Sequence, residues 1–201
     1  MNKKEWEKKQ EEKEEIESNR ILFKDIKIGL QKDSDLFFEY VVNRLFLALG
    51  NYNSIVYEMK LDEKRGFMPE RMAPGNKRDC FVSYENLDLV IEPTMRPIYG
   101  SADHFSHLDT NPDKKQLGIV MVLDITKIDG ALWDMFKEYC DNNNKLFMLC
   151  EADFIFKLLE NKTTAFSKFE DFLKKSEKIW KECADWKTIK DKIIGLMKDI
   201  S

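Results

Sequence analysis

The sequence predicts an α/β domain in which a mixed sheet is flanked by helices, with helical extensions at both ends. Three observations carry this. An amphipathic segment at 35–49 precedes two short apolar segments, 79–84 and 87–94, that read as a hairpin. Two further apolar runs, 117–125 and 145–150, are separated by a helical pattern; such a strand–helix–strand unit implies parallel pairing and a right-handed crossover. Residues 1–20 and the last third are dominated by Lys and Glu, as solvated helix faces are. The expected division is a charged helical arm at 1–34, the α/β domain at 35–160 and C-terminal helices at 161–201.

Each element has its own local reason. Residues 3–20 carry few apolar side chains, mainly Trp6 and Ile16, so they read as a partly ordered helix that frays in water, with a partner-binding arm as the alternative; residues 21–32 suit a short helix or a strand. Leu36, Phe37, Tyr40, Val41, Leu45, Leu47 and Ala48 recur at helical spacing, with Asp33 or Ser34 as cap and Gly50 as stop. Residues 54–61 alternate as one strand. Gly66, Pro69, Pro74 and Gly75 make 62–77 a loop, and residues 101–108 suit a short helix. Leu132, Trp133, Phe136 and Tyr139 share a side of the helix at 131–142, and another helix is expected at 153–160. Phe166, Phe169, Phe172, Leu173, Ile179 and Trp180 mark a long amphipathic helix. A break at 184–186 and a last helix through Ile189, Ile193, Leu196 and Met197 follow; a helical pair covering the sheet is expected, with a subunit-docking surface as the alternative.

The chain has 201 residues and a formal net charge of −4, so no global basic field draws it to nucleic acid; contact with DNA must come from a local patch or a partner. Cys80, Cys140, Cys150 and Cys183 lack CxxC spacing and fit reduced thiols better than a disulfide framework or a zinc site. The amino terminus has no apolar core of a signal peptide, and no apolar run approaches the roughly 20 residues of a membrane span. A soluble cytoplasmic protein is expected.

The chemistry-bearing stretch is 77–94. Asp79 opens one strand of the hairpin, and Glu92 interrupts the end of the other, so two carboxylates meet at one end of a sheet. Acids in buried strands suit a hard cation with oxygen ligands. The competing readings are a turn residue for Asp79 and a solvated edge-strand acid for Glu92. Pro93 removes a ladder N–H, so the strand is expected to bend or end at Glu92. Lys64, Arg65, Arg71, Lys77, Arg78 and Arg96 cluster around the acids and are candidate phosphate contacts. His104 and His107 share a face if helical. A zinc pair is one reading of them, but no Cys or acid completes a tetrahedral set at suitable spacing. No helix-turn-helix or zinc-finger pattern is present to read bases.

The order of these elements resembles the PD-(D/E)XK nuclease fold, and more closely the AlwI-like type IIS restriction endonucleases and related nicking-enzyme subunits. The residues behind the likeness are Phe38-Glu39-Tyr40, residues 74–79 ending in Asp79, Leu89-Val-Ile-Glu-Pro-Thr94 and Phe105-Ser-His107-Leu108. It covers roughly residues 36–160. The resemblance implies metal-dependent hydrolysis of DNA phosphodiester bonds, with Asp79 and Glu92 holding Mg²⁺ (Mn²⁺ as substitute) and Glu39 as the acid on the first helix. It also implies Thr94 at the third motif position, where the wider superfamily has Lys and this subgroup commonly has a small hydroxyl residue. His107 is the candidate proton-transfer or phosphate-contacting group, and Lys77, Arg78 and Arg96 the phosphate contacts. Two departures stand out: Ser106 occupies the subgroup's arginine position, and no glutamate lies between Glu92 and His107, with Asp103 as the candidate replacement. A cleavage subunit of double-stranded DNA follows, dependent on a protein partner for recognition or on dimerisation for double-strand cutting. The alternative is a catalytically impaired nuclease-fold subunit with a structural role.

Overall fold

The computed structural model describes residues 3–65, 68–73, 78–95, 108, 114–128, 130–143 and 145–201. Helices α1 (Lys3–Lys27) and α2 (Ser34–Leu49) precede β1 (Ser54–Tyr57), β2 (Lys60–Asp62), a 3₁₀ turn (Glu63–Arg65) and β3 (Met68–Arg71). Then come β4 (Cys80–Ser83), β5 (Asp88–Thr94), β6 (Gln116–Val122), a second 3₁₀ turn (Ile125–Lys127), α3 (Gly130–Asn142) and β7 (Phe147–Glu151). Helices α4 (Ala152–Leu159), α5 (Lys162–Glu182) and α6 (Trp186–Ile200) close the chain.

The five-stranded sheet runs β1-β4-β5-β6-β7. β1/β4 and β4/β5 pair antiparallel, β5/β6 and β6/β7 parallel. This is the expected mixed sheet flanked by helices, including the parallel pairing across α3. The inner strands are covered on both faces: Leu89–Ile91, Leu117–Val122 and Phe147–Cys150 are all buried, which explains their continuous apolar runs. Gly118 stands opposite Phe147 in register, and a Cβ there would lie 2.2 Å from the Phe147 ring. The missing side chain is what lets that ring lie across β6. Among the described residues no helix is long and apolar enough to cross a membrane.

Several expectations need correction. The amino-terminal segment is no fraying arm: α1 is continuous to Lys27 and docks on α2 and α4. Phe23 sits 6.2 Å from the Phe38 ring and 5.4 Å from the Phe156 ring, and Ile26 is buried beside it. Ion pairs Arg20–Glu160, Arg44–Glu15, Lys27–Asp153 and Lys162–Glu12 line the seam. Asp33 stands at the N-cap of α2 in the left-handed conformation (φ 53°) without a side-chain cap bond, and Ser34 Oγ instead donates to the Gln31 carbonyl. Gly50 does end α2, at φ 72°. The strand expected at 54–61 splits into β1 and β2, and the loop expected at 62–77 contains β3. The β2–β3 hairpin was masked by Pro69, which is tolerated because its register shifts between Lys60 and Leu61. Strand β5 neither ends nor breaks at Glu92: it pairs with β6 through Thr94↔Val122, while its register with β4 stops at Cys80↔Ile91. Pro93 therefore stands where β4 has already ended.

The carboxyl-terminal helices form the expected pair but pack mostly on other helices, and of the two it is α5 that lies against the sheet, at β7. Phe169 of α5 meets Phe46 of α2 edge-on, and Phe172 meets Phe154 of α4. Trp133 of α3 stacks on Trp186 of α6 at 4.7 Å. Asp185 caps α6 by accepting from the Thr188 N–H at 2.9 Å.

Candidate active site

Continuing the β4/β5 register by one step beyond Cys80↔Ile91 sets Asp79 opposite Glu92. Directly opposed residues have Cβ atoms roughly 5 Å apart and point to the same face. Glu39 reaches this place from α2, which lies against both β5 and β3. Glu92 is 1% exposed, which excludes its reading as a solvated edge-strand acid, and Glu39 is buried too, at 2%. Glu39 Oε1 accepts from the Ala73 N–H at 3.1 Å, which ties the acid to the chain that follows β3.

The electrostatics report one cluster. Burial, with a smaller contribution from the Glu92 charge, pushes the Glu39 carboxyl up to about 7 against the opposing Ala73 bond. Asp79 is raised further, by burial first, then by the charges of Glu92 and Glu39 and by a hydrogen bond to the Glu92 carboxyl. A carboxyl–carboxyl hydrogen bond requires a proton held between the two groups. The Cys80 thiol, fully buried next door, is pushed up by burial and then by all three acids. Yet among the described residues no three His, Cys, Asp or Glu side chains stand in a ligating arrangement. The Glu92 charge is close enough to raise both the Glu39 and the Asp79 carboxyl, and the Glu39 charge to raise that of Asp79.

Other expected residues fare differently. Thr94 lies two residues past Glu92 on the same strand face, half-buried, at the edge of a pocket of about 190 Å³. Arg78 is half-buried, its guanidinium 4.8 Å over the Phe81 ring. Lys64, Arg65 and Arg71 are exposed on the 3₁₀ turn and the end of β3. Lys77, Arg96, Asp103, His104, Ser106, His107 and the helix expected at 101–108 lie outside the described residues, apart from Leu108, which is buried. Two residues that sequence reasoning passed over, Lys27 and Lys127, join Thr94 in lining the pocket. No local pattern marks them, because one ends α1 and the other sits in a 3₁₀ turn far along the chain.

Comparison with known proteins bears on the family likeness and the fold. The family model for the AlwI restriction endonuclease matches residues 2–100, the stretch that holds Glu39, Asp79 and Glu92. A comparison with curated proteins gives no match. Among solved structures, the chain is similar to the small subunit of the heterodimeric restriction endonuclease R.BspD6I, with a TM-score of 0.67 and 16% identity, over 90% of this chain and 100% of that one. At that identity the likeness speaks for the fold. Residues 2–100, with Glu39, Asp79 and Glu92 among them, are thus similar to the AlwI restriction endonuclease family, and the chain has a mixed sheet flanked by helices like that of a restriction endonuclease subunit.

Proposed function

We propose that this chain hydrolyses a phosphodiester bond in double-stranded DNA, as the cleavage subunit of a restriction or nicking system whose sequence recognition comes from a partner protein. The observation that supports it most is the gathering of Glu39, Asp79 and Glu92 at one end of the sheet, within the stretch matched to the family. The donor set fits Mg²⁺, with Mn²⁺ as substitute: every donor is a hard oxygen, and burial and mutual repulsion disfavour the charged forms until a dication balances them. When bound, the ion supplies charge neutralisation at the scissile phosphate and a more acidic attacking water. The chain's own part is positional. The Ala73 amide holds one oxygen of Glu39, and the hairpin register sets Asp79 against Glu92. Deprotonation of Asp79, whose carboxyl burial pushes up, would make its carboxylate available as a ligand beside Glu92. The lack of a base-reading motif in the sequence supports a need for a partner. So does the fold likeness to a subunit of a heterodimeric enzyme.

The test is plasmid nicking with Mg²⁺ in the presence of the natural partner, beside Glu92→Ala, with melting followed in parallel. Nicking at background level in the variant is expected. Mg²⁺ at 100 times its dissociation constant should stabilise the wild type by about 2.7 kcal/mol and leave the variant unmoved. Neither nicking nor a Mg²⁺-dependent shift in the wild type would leave the other reading, a non-cutting subunit, which the uncharged Thr94 favours.

A further inference from the structure

A pocket of about 190 Å³ opens where the parallel strands β5 and β6 end. Its lining comes from four places: Thr94 and Met95 at the end of β5, Asp124 just past β6, Lys127 in the following 3₁₀ turn and Lys27 in the last turn of α1. The acids nearby are engaged. Asp124 Oδ1 accepts from the backbone N–H of Thr126 at 3.0 Å and from its hydroxyl, capping the 3₁₀ turn. Glu151 accepts from the Ile125 N–H at 2.8 Å, and burial pushes its carboxyl toward the neutral form. Asp153 pairs with Lys27 from outside the pocket lining. Lys127 is only loosely paired, 3.7 Å from Asp124, and its side chain is 80% exposed. Two ammonium groups and a threonine therefore line one small opening, beside the carboxylate of Asp124 and the apolar side chains of Met95, Val122, Leu123 and Ile128.

We propose that this pocket binds a backbone phosphate of the DNA strand, one position away from the phosphate that is cut, with the ammonium groups of Lys27 and Lys127 and the hydroxyl of Thr94 as its contacts. The proposal rests on the nuclease reading above and specifies how the substrate is seated. Thr94 is two residues beyond Glu92 on the same face, so the pocket edge stands roughly 7 Å from the acid cluster along β5. The third motif position has no charge of its own here. Lysines brought by α1 and by the turn after β6 supply cations at that place instead, and a phosphate is the part of DNA that cations hold without reading sequence.

The experiment has a binding arm and a cutting arm, both with the full chain. In the binding arm, anisotropy of a short labelled duplex is followed across a KCl series in chelator. Replacing both lysines (Lys27→Gln with Lys127→Gln) should lower the slope of log affinity against log salt by about 0.9, the value for one phosphate contact. Lys127→Gln alone breaks only a loose surface pair and should weaken binding in the same direction, which guards against a folding effect from loss of the Lys27–Asp153 pair. Lys127→Arg should restore binding, and Lys178→Gln, on the exposed side of α5, should change nothing. In the cutting arm, with partner and Mg²⁺, the double variant should raise KM for DNA by roughly five- to tenfold, while the Mg²⁺ concentration for half-maximal rate stays put. A wild-type salt slope in the double variant, or an equal loss in Lys178→Gln, overturns the pocket assignment even if Glu92→Ala abolishes nicking. Absence of nicking by the wild type overturns the nuclease reading instead, and the salt slope still decides the pocket.

Discussion

Replacing Glu39 by glutamine tests the acid cluster without touching DNA. Its carboxyl, ordinarily near 4.5, is held at about 7 by burial and by Glu92. A carboxyl whose folded value is raised favours folding while protonated, below about pH 4.5. That advantage is lost as pH rises through about 7, because the folded chain must then hold a charge that the unfolded chain carries in water. The difference amounts to about 3 kcal/mol above pH 7. Glu39→Gln keeps an oxygen to accept from the Ala73 N–H and carries no charge at any pH. In chelator at pH 8 it should therefore melt higher than the wild type by up to about 6–12 °C, at roughly 2–4 °C per kcal/mol for a chain of this size. At pH 5 the gap should nearly close. Added Mg²⁺ should reverse the order at pH 8 by stabilising the wild type more. The measurement is calorimetric or circular-dichroism melting at the two pH values. An equal gap at pH 5 and pH 8, or a variant less stable than the wild type at pH 8 in chelator, would refute the desolvated-carboxylate argument.

Two further perturbations probe the scaffold under the site. Gly118→Ala should destabilise by about 1–3 kcal/mol in denaturant unfolding, because its Cβ would stand 2.2 Å from the Phe147 ring within a pair of buried strands. Asn43, one helical turn past Glu39, is 2% exposed, and among the described residues neither atom of its amide has a partner. Asn43→Leu should accordingly be neutral or stabilising by about 1–3 kcal/mol in urea titration; a loss of stability would mean that the amide holds a ligand or water important to the fold.

The readable parts of this fold were those whose reasons are local. Strands β6 and β7 announce themselves because burial on both faces demands unbroken apolar runs, and the hairpin because its two strands are apolar on either side of a short turn. Asp79 and Glu92 stood out as acids in such strands. Glu39 was harder, since nothing in an amphipathic helix says which of its acids faces inward; the likeness to a known family singled it out and its burial agrees. Docking of α1 was hard to read because the apolar residues that carry it, Phe23 and Ile26 with Ile16 and Leu22, sit in a helix whose first half is mostly Lys and Glu. The β2–β3 hairpin was hidden by a proline that only an irregular register accommodates. Lys27 and Lys127 meet through tertiary packing alone.

The single long helix at the amino terminus also fixes a distance. With 25 residues, α1 is about 37 Å long, and its far end carries Lys27 to the rim where β5 and β6 finish. Its seam of ion pairs and the buried Phe23 hold it as a rod against α2 and α4. A partner gripping the first turns of that rod would sit more than about three nanometres, measured along the helix, from Lys27. It would be linked to the rim by an element that transmits displacement along its axis, so tension or tilt applied there would be felt at Lys27.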